Sequence, residues 1–379
     1  MNAQPDAIPT EAADPALVAA ISAALAQHAL TRPDAGPALT RITVREMVDE
    51  CLANIETSTA RTYRPYLLLL SKGWSGRDFT YAGIGDKYVD EVLPSALNEA
   101  LKAVDVRAQQ LIEDRNAVRR EVGRVEFAKA GSTPRYNAVG AFRRMFKDAI
   151  AERHLAKGCS PAADITKPHR SEGGRMALTQ SQLDAMLDLV DSTGDDPELD
   201  RMLCETILVS GARVEGLLNL TIGGIDLEEC VIWLDEKNGR LVPQPVPDWF
   251  AAKLLQFARS RGAVAKDDPV FVKRPRGRRP AAPITERRMD YLFGRLQAAY
   301  EWADTDQVTA HVLRHHAVTV VERLAGKAVA RAYARHSSGD VNDIYTAASR
   351  TEVAAVVVRL YGGDHPWLHR KPRVRKTPR

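Results

Sequence analysis

At 379 residues the chain is longer than one compact core usually holds, so two domains plus tails are expected. Hydrophobic residues make up 45% of it, enough apolar material for real cores. The formal charge of +4 is only mildly basic and does not by itself point to a nucleic-acid partner, because the distribution of charge matters more than its sum.

The four cysteines, Cys51, Cys159, Cys204 and Cys230, lie far apart, with no CxxC pair and no histidine at ligand spacing. That argues against a disulfide framework or a zinc site and suits a reducing cytoplasm. No apolar run reaches the roughly 18 residues of a membrane span. The N-terminus carries Asp6, Glu11 and Asp14 and lacks the basic-then-apolar order of a signal peptide. A soluble cytoplasmic protein without membrane contact is expected.

Residues 1–40 read as an arm rich in alanine, proline and acids, with a short helix over Val18–Leu30 ended at Pro33. Residues 41–163 read as a mostly helical domain. Thr43 and Glu46 have capping-box spacing, and Val44, Met47, Val48, Cys51 and Leu52 follow at helical intervals. A second helix is predicted through Tyr63–Leu70. A long charged one is predicted from Ser95 to about Lys129 on a stripe of Leu97, Leu101, Val104, Ala108, Leu111 and Ile112. A last helix is predicted over Arg135–Arg153 with Val139, Phe142, Phe146 and Ile150 inward. Its Arg143, Arg144 and Lys147 make either a solvated basic face or phosphate contacts.

The stretch Pro161–Arg175 has linker composition, with the linker proper placed at 164–175. A second domain, 176–366, begins with a helix capped by Thr179 or Ser181. It contains a hairpin of Val231–Leu234 and Leu241–Val246 around the Asn238-Gly239 turn, then helices from Arg287 to Trp302 and past Thr309. The fold class is therefore mainly α with a small antiparallel β-sheet. Two segments are purely basic: KRPRGRRP, which holds Lys273, Arg274, Arg276, Arg278 and Arg279, and the tail 367–379. Such runs often only solubilise, but two in one chain favour a phosphate-backbone partner.

Four short segments carry candidate chemistry. Arg213 opens an apolar helix in GARVEGLLNL, and Lys237 sits at the hairpin turn. His311 and Arg314 form a His-x-x-Arg pair, followed by His315. His336 stands in ARHSS, and Tyr345 lies nine residues after it. Taken singly, each has a bland reading as a surface or packing residue. The ordered set resembles the tyrosine recombinase (phage integrase) family over roughly Arg41–Tyr361. Arg213 matches the first catalytic arginine in its G-x-R-x-x-x-L-L-x-L context. Lys237 matches the β-hairpin lysine, His311 and Arg314 the His-x-x-Arg motif, His336 the histidine of L-G-H-S-S, and Tyr345 the nucleophile. Three departures stand beside the site. Gly216 occupies a place often held by Glu, with Glu215 one earlier; Ala334-Arg335 replaces Leu-Gly; and Val341-Asn342 replaces a common Thr-Thr pair.

The resemblance implies a two-domain architecture, with a helical DNA-binding core-binding domain and an α+β catalytic domain. It also implies a site-specific recombinase that cleaves and rejoins DNA strands through a 3′-phosphotyrosine, in integration, excision or transposition of a mobile element. The expected partners are double-stranded DNA carrying specific sites and other protomers, as a homotetramer or with related recombinases. No metal and no other cofactor is expected, because the cations are side chains. Arg213 and Arg314 would clamp the phosphate oxygens with planar, permanently charged forks. Tyr345 would attack phosphorus, His311 would take or hold its proton, Lys237 would protonate the leaving 5′-oxygen and His336 would donate to a phosphate oxygen. Two alternatives share parts of this reading: a type IB topoisomerase-like nicking-closing enzyme, and a catalytically silent DNA-binding relative.

Overall fold

The computed structural model describes residues 39–169, 176–236, 239–274, 282–335 and 348–370. The predicted helix at 18–30, Lys237 and Asn238 of the hairpin turn, Arg276, Arg278 and Arg279 of the basic run, and most of the basic tail lie outside these residues. Among the described residues, 39–114 and 128–169 form one compact unit, while 115–127 and those from 176 onward form the other. The molecule is mainly helical, with two small antiparallel sheets.

The first unit begins with α1 (Val44–Asn54), closed by the Thr43–Glu46 capping box. Helix α2 (Thr57–Lys72) is longer than its periodicity suggests. It runs through Pro65, whose missing N–H removes one rung of the ladder, because Leu67, Leu69 and Leu70 are buried just beyond it. A two-residue hairpin follows, β1 (Trp74–Ser75) with β2 (Thr80–Tyr81), then α3 (Pro94–Glu121) and α4 (Thr133–Ala151). Helix α4 packs on α1 and α2 and supplies Phe142, Met145 and Phe146 to the core. Burying one such side chain contributes roughly 1.5–3 kcal/mol.

Helix α3 corrects two expectations. Its apolar stripe is buried only over Leu97, Leu101 and Val104, whereas Leu111 is 48% exposed. It also ends at Glu121, short of Lys129. Gly123 turns the chain back with φ 70, and the Asn116 side chain then captures both the N–H and the carbonyl of Phe127, at 2.7 and 3.0 Å. These polar anchors compete with further helix in a way that apolar periodicity does not register. The returning segment belongs to the second unit. There Arg119 forks onto buried Asp304 and lies 4.1 Å from the Phe127 ring centroid.

The second unit continues with α5 (Gln180–Ser192), capped by Thr179, then α6 (Pro197–Ser210) and the short α7 (Val214–Leu218). A three-stranded sheet follows in the order β3 (Ile225–Asp226), β4 (Val231–Glu236), β5 (Arg240–Pro245). The β4–β5 hairpin pairs Val231 with Pro245 and Glu236 with Arg240. Pro243 and Pro245 are tolerated because β5 is an edge strand. The β3 strand was not visible as a pattern, since two residues carry no periodicity. Helices α8 (Asp248–Ser260), α9 (Glu286–Ala299), α10 (Glu301–Thr305) and α11 (Ala310–Tyr333, broken at Gly326) lead to α12 (Arg350–Tyr361). Helix α6 runs through the middle of this core, packed by α5 and α11. Helix α12 packs on α11 and β5 of its own unit and buries Val353, Val356 and Val357. Among the described residues no helix is long and apolar enough to cross a membrane.

Candidate active site

The site is built where α6 stops. Gly211 caps that helix in the left-handed region (φ 58), and its N–H bonds the Ile207 carbonyl at 2.8 Å. A β-carbon there would lie 2.7 Å from the Tyr333 ring, so both conformation and space demand glycine. Ser210 Oγ then accepts from the Ala212 N–H at 3.2 Å, and the chain turns to place Arg213 at the N-cap of α7. Helix α7 is pressed against β4: a β-carbon on Gly216 would approach the Asp235 carbonyl oxygen to 2.7 Å. That contact explains why Gly216 stands where a glutamate is common among the family it resembles.

Helix α11 brings the second arginine. His311 lies in its first turn and is exposed, and Arg314, one turn later, is buried at 5% exposure. Arg314 donates through Nη1 to the Gly211 carbonyl and through Nη2 to the Ala334 carbonyl at 2.6 Å. The two motif arginines therefore come together at one turn, although they are far apart in sequence. Burial pushes the Arg314 guanidinium down to about 9, aided by the positive charges of Arg335 and Arg213. Burial also lowers Arg213. A cluster of cations that depress one another in a partly desolvated site favours an anion between them. Neighbouring His316 plays a different part: it is buried with Nδ1 3.0 Å from the Leu178 carbonyl, and burial holds it below the usual histidine range.

Four residues that motif reading did not assign to the site complete its floor. Tyr333 and Tyr361 both donate to the Leu208 carbonyl, at 2.6 and 2.7 Å. Arg335 reaches the carbonyls of Ser210, Gly211 and Tyr333 and the side chain of buried Gln244. Two of these left a trace in the sequence. Arg335 breaks the Leu-Gly pattern, and Gln244 is a polar residue within the otherwise apolar run Leu241–Val246. Lys237, His336 and Tyr345 lie outside the described residues; in sequence Lys237 directly follows β4, His336 directly follows Arg335, and Tyr345 stands five residues before the start of α12.

The candidate phosphate-contacting residues are placed as follows. Arg143 donates to the carbonyls of Ala162, Ala163 and Ile165, and so ties α4 to the segment after it. Arg144 pairs with Asp148 at 2.9 Å on the same helix. Lys147 and Lys273 are exposed. Arg274 pairs with Glu198 at 2.6 Å.

The phage integrase family model matches residues 176–352. Tyrosine recombinase XerD of Vibrio vulnificus is 27% identical over 56% of this chain and 69% of its own. The XerD of Xanthomonas axonopodis pv. citri is 28% identical over 56% and 70%. Among solved structures, a Tn1549 transposon integrase in complex with transposon right end DNA superposes with a TM-score of 0.54 at 15% identity, covering 84% of this chain and 99% of that one. A lambda integrase dimer bound to a core site gives a TM-score of 0.52 at 15% identity, covering 89% and 88%. With the match over residues 176–352 and this shared two-domain fold, the chain is similar to the tyrosine recombinase (phage integrase) family.

Proposed function

We propose that this protein is a site-specific DNA recombinase that exchanges strands through a 3′-phosphotyrosine at Tyr345, in the integration, excision or transposition of a mobile element. The observation that carries the reading is the meeting of Arg213 and Arg314 at the Gly211 turn, with His311 one turn before Arg314 on α11. In-line attack by the Tyr345 oxygen forms a phosphorus–oxygen bond and breaks the bond to the 5′-oxygen. His311 accepts the tyrosine proton, and Lys237 gives a proton to the leaving oxygen. Charge gathers on the non-bridging oxygens, where two preorganised guanidiniums contribute most. Religation reverses the sequence with a new 5′-hydroxyl, so the bond energy is kept in the phosphotyrosine. Lambda integrase is described as a tetramer on a Holliday junction, and by analogy this chain acts as four protomers on two DNA sites.

The test is covalent trapping on nicked duplexes tiled across DNA flanking the protein's own gene, in EDTA, with wild type and Tyr345→Phe. An adduct on denaturing gels that requires Tyr345 supports the reading. Binding to duplexes without any adduct favours a silent DNA-binding relative. Relaxation of supercoils from a single site, with no strand exchange between two, favours a topoisomerase-like enzyme.

A further inference from the structure

Arg335 has no role in the reading above, yet it is the residue most tightly drawn into the turn that presents Arg213. Its backbone is left-handed, φ 54, a conformation that disfavours any residue with a β-carbon. The strain is held by its side chain. Nη2 donates to the Gly211 carbonyl at 2.7 Å, and Nη1 to the carbonyls of Ser210 at 2.8 Å and Tyr333 at 3.0 Å and to the Gln244 amide oxygen. The Gly211 carbonyl is thus shared by Arg335 and Arg314. We propose that Arg335 is a positioning residue: its guanidinium locks the 210–211 turn from below and so fixes Arg213 and Arg314 against one another for a phosphate.

The electrostatics agree with that placement. Arg335 is pushed down to about 9 by burial and by Arg213, while Tyr333 opposes the shift. Arg335 in turn depresses Arg314. A third cation next to two others raises the attraction for a group that gains negative charge during reaction, and the carbonyl oxygens around it keep the fork in place. Small misplacements of a catalytic group can cost about a hundredfold in rate, which is the scale at which a positioning residue acts.

This inference rests on the recombinase reading for its rate measurements, and a second arm is independent of it. The informative variant is Arg335→Gly, because glycine is at ease at this φ and the turn can still form; Arg335→Lys keeps the charge without the fork. In single-turnover adduct formation on a nicked duplex, Arg335→Gly is expected to lose about tenfold to a hundredfold in rate with nearly unchanged DNA affinity. Arg335→Lys is expected to lose the rate as well. In the second arm, sulfate raises the melting temperature of the wild type over chloride at equal ionic strength, and Arg335→Gly loses that increment. An unchanged rate and an unchanged sulfate increment in Arg335→Gly overturn the proposal. Full rate in Arg335→Lys overturns the positioning role in favour of charge alone. If the wild type forms no adduct while the sulfate increment depends on Arg335, the recombinase reading fails and the role of Arg335 in an anion site stands. If the increment survives as well, both fail.

Discussion

The second unit holds two arginine clusters, and they are built in opposite ways. At the start of α6, Arg261 forks onto Asp196 at 2.5 and 2.8 Å, and Arg288 and Arg295 both close on the fully buried Asp200. Burial alone would lower Arg288, but Asp195 and Asp200 outweigh it and hold the guanidinium above its ordinary value. At the end of the same helix, the bonds that Arg314 and Arg335 make to described residues end on carbonyl oxygens and one amide, and both cations are pushed down to about 9. One helix thus carries arginines bonded to carboxylates at its N-terminus and arginines bonded to backbone carbonyls at its C-terminus. The first cluster joins α6, α8 and α9, and its charges are spent. The second lies where the partial negative charge of the α6 C-terminus favours cations. A high local density of arginine therefore does not mark a functional site; the kind of partner does.

Substitutions should separate the two clusters. Asp200→Asn leaves Arg288 and Arg295 buried without their common carboxylate and should destabilise by about 3–5 kcal/mol, measured by denaturant unfolding. Cleavage per folded molecule should stay near wild type, and a selective loss of cleavage would erase the distinction. Arg314→Met should do the reverse. Adduct formation should fall about 10²–10³-fold, while unfolding free energy changes less than in Asp200→Asn. Equal stability losses in the two variants would show that the second cluster is structural as well. Gly211→Ala tests the turn between α6 and Arg213. The left-handed backbone costs roughly 1–2 kcal/mol before the overlap with Tyr333 is counted, so both melting temperature and cleavage should drop. A neutral outcome would mean that Tyr333 yields easily.

The smallest effect is one of pH. His316 and His365 are held below the usual histidine range, first by burial. The folded state resists protonating them and the unfolded state does not. Their contribution is therefore complete above the unfolded value of about 6.5 and is lost as pH falls below it, up to roughly 1 kcal/mol each one unit lower. Asp196 is held below its ordinary value because the Arg261 contacts outweigh its burial, so it does not titrate in that window. His316→Gln should flatten the fall in melting temperature below about pH 6.5; an unchanged slope would place the titration elsewhere.

Much of the fold was legible locally. The Thr43–Glu46 box, the Thr179 cap and the helices through Phe142 and Met186 follow from spacing that is satisfied within a few residues. The hairpin of β4 with β5 was legible from β-branching and the turn signal. The end of α3 was not, because it depends on Asn116 reaching Phe127 and on Arg119 reaching Asp304. Of the site, the sequence named Arg213, His311 and Arg314 by order and type. It offered no signal that Tyr333 and Tyr361 support them, since those contacts cross the core between elements distant in the chain.

The sequence by itself determined the helical class and the likeness to the phage integrase family, because both are written in residue type and short-range spacing. Only the tertiary structure decided which arginines close on carboxylates and which reach backbone carbonyls. It also decided that Gly211 and Gly216 are required by neighbouring atoms, and that Arg335 is folded under the Arg213 turn. The physical reason is that burial and long-range hydrogen bonds set the electrostatic state of a side chain, and both are properties of the packed chain.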